Sequence, residues 1–245
     1  MSVKDYETRL YVKDNLSIGK SLVIKNDQSH YIRSVLRLKE NSQIALFNGE
    51  EGEWLSTIKT IAKKFVELEV IEQIKLQEVI SDIWLVFAPI KRTRIDYLAQ
   101  KATELGAGAL WPIFTKYTSV SRVNAERLRS NSIEAAEQSG RLTVPKILDP
   151  IDFDTLIEKW PHDRDLFCLD ETGKGVPILD AFRSSHQRAS GLLIGPEGGF
   201  AKEELDQVDK LGNVFRVSLG KRILRSDTAA VAALACWQAA AGDWL

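Results

Sequence analysis

The sequence predicts a small β-barrel followed by a larger α/β domain built on a mostly parallel sheet. Three observations carry this. Between Leu10 and about Ile71, apolar residues recur with period two in short runs broken by turn-forming residues. Beyond Val79, continuous apolar runs alternate with helical stripes, the pattern of strands buried on both faces and joined by covering helices. Near the C-terminus, two glycine-bearing segments each follow an apolar run and each open onto a helix-like run. The boundary is placed to give domains of residues 1–73 and 74–245.

In the first domain, Leu22-Val23-Ile24, Gln43 to Phe47 and Phe65 to Val70 read as strands. Asn48-Gly49 with the acidic Glu50 to Glu53 reads as a hairpin connection into a strand over Trp54 to Ile58. One or two helical turns are expected between Asp27 and Leu38. In the second domain, a strand over Ile83 to Ala88 precedes a helix over Arg94 to Leu105, which carries Ile95, Leu98, Ala99, Ala102 and Leu105 on one stripe. Gly106 stops it. Further strands are expected at Ala109 to Trp111, Leu166 to Leu169, Leu192 to Ile194 and Val214 to Val217, with helices at Asn124 to Ser139, Val176 to Arg183 and Lys202 to Leu211. The last helix starts at the capping residues Ser226-Asp227-Thr228, runs over Ala229 to Ala241, and has almost no polar face. Such a helix needs cover all round. A second copy of the chain is the simplest cover, so a homodimer is expected, with burial inside one subunit as the alternative.

At 245 residues, 44% hydrophobic and 27% charged, the chain has the composition of an ordinary globular protein with room for two domains. Met1-Ser2-Val3-Lys4-Asp5 lacks the apolar core of a signal peptide, and the uncharged stretch from Thr228 to Gly242 is too short to cross a bilayer. A cytoplasmic location without a membrane partner is expected. Cys168 and Cys236 sit in separate apolar runs, and His30, His162 and His186 are scattered, so no metal-ligand spacing exists. The formal charge of −1 excludes a uniformly basic nucleic-acid binder and leaves only local patches.

Gly195-Pro196-Glu197-Gly198-Gly199-Phe200 lacks the spacing of a dinucleotide fingerprint, and no Gly-Lys-Ser/Thr follows it as in a P-loop. Paired with Ser218 to Arg225, it places backbone amides from two strand ends at a shared crevice, where glycines let a ligand lie against the main chain. At these residues the chain resembles a known family. Leu193 to Phe200 and Leu219 to Ala229 look like the two signature segments of the RsmE-type methyltransferases of the SPOUT superfamily. Gln100 to Gly106, Glu134 to Arg141 and His30 to Arg37 are similar to further family segments.

The resemblance implies a PUA-like N-terminal barrel for RNA and a SPOUT-type α/β domain tied in a C-terminal trefoil knot. The implied activity is methylation of uridine N3 in small-subunit (16S) ribosomal RNA, free or assembled into the subunit, with S-adenosylmethionine as cofactor. Cofactor binding is carried over to Leu169, Leu193, Gly195, Glu197, Gly198, Leu219, Gly220, Ile223 and Leu224. Lys221 stands where proline is common in the family, and Ser226-Asp227 where threonine and glutamate are usual.

The chemistry implied is an in-line displacement in which the protein positions two reactants and favours loss of the N3 proton. A positive group beside the base stabilises the forming uridine anion, and Arg225 at the loop-to-helix junction is the candidate. The alternative is an Arg225 that pairs with Glu197 or Asp227 to hold the loops. Glu197 is a candidate proton acceptor or a loop organiser. For RNA, the barrel supplies Arg9, His30, Arg33, Arg37 and Lys39, and a helix over His30 to Leu38 would set Arg33 and Arg37 on one face around a phosphate. Lys91, Arg92 and Arg94 form a second basic cluster between a strand end and a helix. Solvated charge without a partner is the alternative for both. Two other functional readings stand beside the methyltransferase: a catalytically silent RNA-binding assembly protein, and a nucleotide-dependent enzyme, which the missing phosphate fingerprints disfavour.

Overall fold

The computed structural model describes residues 6–185 and 189–244, without the side chain of Arg92. His186 lies outside the described residues. The chain divides into two compact units: residues up to Val79 together with Ala136–Thr143, and Ile80–Ala135 together with Val144–Leu245. The division therefore comes later than 73/74, which falls inside the last strand of the first unit.

That unit contains β1 (Thr8–Tyr11), β2 (Ser21–Lys25), α1 (Asn26–His30) running into a π-helical stretch (Tyr31–Val35), β3 (Gln43–Phe47), β4 (Glu53–Ile61) and β5 (Phe65–Lys75). Its sheet has the order β1-β3-β4-β5-β2, a half-barrel in which β1 and β3 are parallel and the other pairs antiparallel. Alternation is plain in β2, where Leu22 and Ile24 are buried while Ser21, Val23 and Lys25 face outward. Leu10, Ile44, Leu46, Ile58, Val66 and Leu68 fill the core. Three register shifts along β4–β5 are the irregularities that bend and twist such a sheet.

Two sequence expectations fail here, both for RNA. Arg9 is 4% exposed. Its Nε donates to the Glu53 carboxylate, Nη1 donates to the carbonyls of Ala136 (2.7 Å) and Glu137 (3.0 Å), and Nη2 donates to that of Arg141 (2.9 Å). The guanidinium also lies 4.5 Å from the Phe47 ring centroid. Arg9 is thus a buried tie within its own unit, with no donor directed at a phosphate. Arg33 and Arg37 do not share a helical face, because the helix ends at Val35 and Arg37 takes a φ of +54°. Arg33 instead donates to the carbonyls of Ser29, Ala62 and Lys63.

The second unit contains β6 (Ile83–Phe87), α2 (Arg92–Glu104), β7 (Ala109–Phe114), α3 (Ala125–Ser139, whose last turn belongs to the first unit), β8 (Lys146–Ile147), β9 (Ile151–Asp152) and α4 (Phe153–Lys159). It continues with β10 (Asp165–Leu169), β11 (Val176–Pro177), α5 (Ile178–Ser184), β12 (Ser190–Ile194), α6 (Lys202–Val208), β13 (Val214–Ser218) and α7 (Ser226–Ala241). Every strand pair is parallel, in the order β11-β13-β10-β12-β6-β7-β8, with β9 also pairing β7.

Successive strand residues go to opposite faces. Leu85, Phe87, Phe167, Leu192, Ile194 and Val217 pack with Leu98, Phe182, Leu234 and Trp237. Val86, Leu166, Cys168 and Leu193 pack with Phe153, Leu156, Leu205 and Val208. One face is therefore covered by α2, α5 and α7, the other by α4 and α6. Gly191 in β12 has no side chain because the Trp160 ring lies where a Cβ would go. α7 buries only one side, through Ala230, Ala233, Leu234, Trp237 and Gln238. Val231, Ala232, Ala235 and Cys236 remain partly accessible.

Removing Arg9 leaves the buried Glu53 carboxylate with Lys75 at 3.1 Å as its remaining ion-pair partner and takes the donor from the carbonyls of Ala136, Glu137 and Arg141. Arg9→Ala is expected to destabilise the protein by about 3–5 kcal/mol, the cost usual for breaking such a pair, read as a lower urea midpoint. An unchanged midpoint would contradict the structural role.

Candidate active site

In the sheet, β10 lies between β13 and β12, and because all three are parallel their C-terminal ends emerge side by side. The loops that follow, residues 170–175, 195–201 and 219–225, enclose one pocket. Its apolar lining comes from Leu169, Ile194, Leu219, Ile223 and Leu224, its main-chain surface from Gly195 and Gly220, and its polar groups include Asp170, Glu171 and Ser226. Gly220 takes a φ of +102° and Gly199 one of +70°, left-handed conformations that favour glycine. At Gly199 a Cβ would also overlap the Glu171 carboxylate, which folds over that loop. The Ser226 hydroxyl donates to the Gly195 carbonyl at 2.8 Å and so fastens the start of α7 to the second loop.

The first loop is anchored by charge. Asp170 is 6% exposed and accepts from the Thr172 N–H (2.8 Å), the Thr172 hydroxyl (2.9 Å) and Arg216 Nη2 (2.7 Å). Arg216 also reaches Asp209 at 3.3 Å. Burial alone would raise the Asp170 carboxyl, but the Thr172 bonds and the Arg216 charge together bring it below its usual range. Beside them, where Cys168 pairs in register with Arg216, burial, reinforced by the Asp170 charge, pushes the Cys168 thiol up to about 12, so it is neutral at ordinary pH.

Of the residues expected to hold a cofactor, Leu169, Gly195, Leu219, Gly220, Ile223 and Leu224 line this pocket. Leu193 does not, because strand alternation sends its side chain into the opposite core with Val86 and Cys168. Glu197 and Gly198 lie on the same loop but outside the lining. Glu197 pairs instead with Arg94 of α2 at 3.4 Å, and Gly198 packs against Tyr117, whose Cβ would be 3.2 Å from a Cβ added there. Arg225 is the N-cap residue of α7, exposed, and among the described residues no ion pair joins it to Glu197 or Asp227. Lys91 is the N-cap residue of α2, whose first turn carries Arg94. The Arg92 side chain lies outside the described residues. In the first unit His30, Arg37 and Lys39 are exposed.

Sequence reasoning missed Asp170, Glu171, Thr172, Ser226 and Arg216. Asp170-Glu171-Thr172-Gly173 follows an apolar run as the two recognised loops do, and that was its available signal.

Residues 77–238 match the family model described as an RNA methyltransferase domain, and residues 24–71 match the one described as an RNA methyltransferase PUA domain. The chain belongs to the RNA methyltransferase family. Within it, the ribosomal RNA small subunit methyltransferase E of Rickettsia conorii is 34% identical over 93% of each chain. That of Bacillus subtilis is 30% identical over 91% of each. The crystal structure of a ribosomal RNA small subunit methyltransferase E from Neisseria gonorrhoeae, bound to S-adenosyl methionine, superposes with a TM-score of 0.88 at 29% identity, covering 98% of this chain and 100% of that one.

Because its pKa is depressed in the folded state, ionised Asp170 stabilises the fold above the ordinary carboxylate pKa of about 3.9. This contribution is lost as pH falls through the lower folded value. Urea unfolding of wild type and Asp170→Asn should show the largest stability gap at neutral pH, closing as pH falls below about 4. A gap that does not change between pH 7 and pH 3 would contradict the assignment.

Proposed function

We propose that this protein transfers a methyl group from S-adenosylmethionine to N3 of a uridine in small-subunit ribosomal RNA. The observation that supports it most is the pocket at three adjacent parallel strand ends, in a chain matching a methyl-donor-bound relative over nearly its whole length. The lining fits that donor. Apolar side chains give a surface for a flat base, and Ile223 lines the pocket while 82% exposed, an apolar group that a ligand would cover. Glu171, exposed at the pocket, places negative charge near a cationic ligand, while the Asp170 carboxylate is taken up by Arg216. When bound, the donor supplies an activated methyl group on a positively charged sulfur.

In this reading Leu169, Ile194, Gly195, Leu219, Gly220, Ile223 and Leu224 hold the donor, while Ser226 and the Asp170–Arg216 pair fix the loops around it. The threading of those loops as a trefoil knot belongs to the same reading. Arg225 has neither alternative ion pair among the described residues and stands between Leu224 and Ser226, which line the pocket, so in this reading it supplies the positive charge that a developing N3 anion needs. Glu197 is engaged with Arg94 and serves as a loop organiser rather than as proton acceptor. His30, Arg37 and Lys39 of the PUA-like unit and Lys91, Arg92 and Arg94 of the second unit contact RNA. Val231, Ala232 and Ala235 on the accessible side of α7 face a second copy, giving a homodimer. No described helix is long and apolar enough to cross a membrane, and a ribosomal substrate places the protein in the cytoplasm.

Calorimetry with S-adenosylmethionine, together with nucleoside mass mapping of ribosomal RNA from cells with and without the protein, tests this. Donor binding and a protein-dependent 3-methyluridine are expected. RNA binding without donor binding would establish the silent RNA binder instead. Arg225→Ala should lower kcat about 100-fold or more, the loss usual for a charge-stabilising donor, with donor affinity kept. Unchanged turnover would remove Arg225 from the reaction.

A further inference from the structure

The segment Thr115–Asn124, between β7 and α3, takes no part in the pocket yet is built as firmly as the loops that do. The Thr115 N–H donates to the Thr118 hydroxyl at 2.9 Å and the Thr118 N–H returns to the Thr115 carbonyl at 3.1 Å, closing a turn. The Lys116 N–H donates to Glu204 Oε1 at 2.7 Å, and Glu204, only 8% exposed, accepts from the Ala201 N–H with its other oxygen at 2.8 Å. One buried carboxylate thus ties the turn to the start of α6.

The turn carries an aromatic ring outward. Tyr117 is 50% exposed although backbone and side-chain bonds pin the residues around it. A core role does not account for an exposed ring on a rigid support. Tyr117 leans on Gly198, where the missing Cβ permits the approach, and Gly198 belongs to the loop whose Gly195 lines the pocket. The Lys116 ammonium lies 5.8 Å from the ring centroid and is paired with Glu203 at 3.3 Å, so the ring itself is what this turn offers a ligand.

Beyond Tyr117 the same segment forms one wall of a groove of about 1110 Å³, whose other wall is the start of α2. This exceeds the roughly 300–1,000 Å³ of compact small-ligand pockets, so an extended chain fits it better. Its acidic groups are Asp96, which is paired with Arg127 at 2.5 Å and accepts a hydrogen bond from the Asn131 amide, and Glu126, whose single charge is outnumbered by those of Lys91 and Arg122. Lys91 and Arg122 line it with no carboxylate partner among the described residues, and the hydroxyls of Thr93, Ser119 and Ser121 stand with them. Unpaired cations interspersed with hydroxyls suit a phosphodiester backbone.

We infer that an RNA strand lies in this groove, its phosphates on Lys91 and Arg122, and that Tyr117 is the platform on which the target base stacks as it reaches the pocket. This rests on the methyltransferase reading above and extends it to Tyr117 and Arg122, which neither the sequence motifs nor the pocket single out. A paired uridine has its N3 engaged, so the base must leave its stack to react, and an aromatic face offsets the contact it loses.

The test uses the full chain, with small ribosomal subunits from cells lacking the protein as methyl acceptor and a naked transcript of their RNA for binding. Tyr117→Ala is expected to lower kcat/KM for the acceptor on the order of ten-fold, the effect of losing one base stack. Tyr117→Phe should retain wild-type rates. Lys91→Ala with Arg122→Ala should weaken transcript binding and reduce its log–log salt slope by about two. Affinity for S-adenosylmethionine should be unchanged in all three variants. Wild-type kcat/KM in Tyr117→Ala, equal loss in Tyr117→Phe, an unaltered salt slope, or weakened donor binding in Tyr117→Ala would each overturn the inference. A wild-type protein that neither binds the donor nor methylates would instead overturn the reading on which it rests.

Discussion

The parallel pairing of β10 with both β12 and β13 is the constraint on which the second unit depends. In register, Phe167 faces Leu192 on one side and Phe215 on the other, and Cys168 faces Leu193 and Arg216. Parallel strands end at the same edge, so three loops that are distant in sequence, at 170–175, 195–201 and 219–225, are delivered to one place without any direct attraction between them. What the loops add is local: glycines where the main chain turns left-handed, a serine that bonds across to the next loop, and an aspartate held by two threonine donors and an arginine. The core on either side of the sheet makes the strand positions expensive to shift. The pocket inherits its shape from that rigidity.

Much of this was legible in the sequence because burial on both faces leaves an unmistakable mark. The runs at Ile83–Phe87, Asp165–Leu169, Ser190–Ile194 and Val214–Ser218 are mostly apolar, their polar residues being Asp165 and Ser190 at strand starts, Ser218 at a strand end and Arg216, and the helices between them keep a 3.6-residue stripe. What escaped was short or was stabilised from afar. β1, β8, β9 and β11 are two to four residues long and exist through their partners rather than through their own composition. Pro112, which lacks an N–H, follows the Ala109 to Trp111 that the sequence reading assigns to β7. The structure continues it because β8 pairs as far as Leu110 and β9 begins at Ile113, leaving Pro112 in the gap.

The site divides in the same way. Residues whose backbone conformation matters, Gly195 and Gly220, stand out in a sequence, and family resemblance reinforces them. Side-chain direction does not stand out: Leu193 and Ile194 are neighbours, yet only Ile194 faces the pocket, a distinction that needs the pleat's phase. Charge is harder still. Arg9 and Arg37 look alike in the sequence, but one is satisfied by three carbonyls and a carboxylate inside its unit and the other is exposed. The partners of Arg9 near residue 140 lie more than 120 positions away, beyond the reach of any local pattern.

Convergence of the three loops on one methyl donor is the central claim, and amide hydrogen exchange with and without S-adenosylmethionine tests it most directly. The account predicts that amides in residues 170–175, 195–201 and 219–225 become protected together, with a common dependence on donor concentration. Protection confined to one of these segments, or appearing in the PUA-like unit instead, would contradict it.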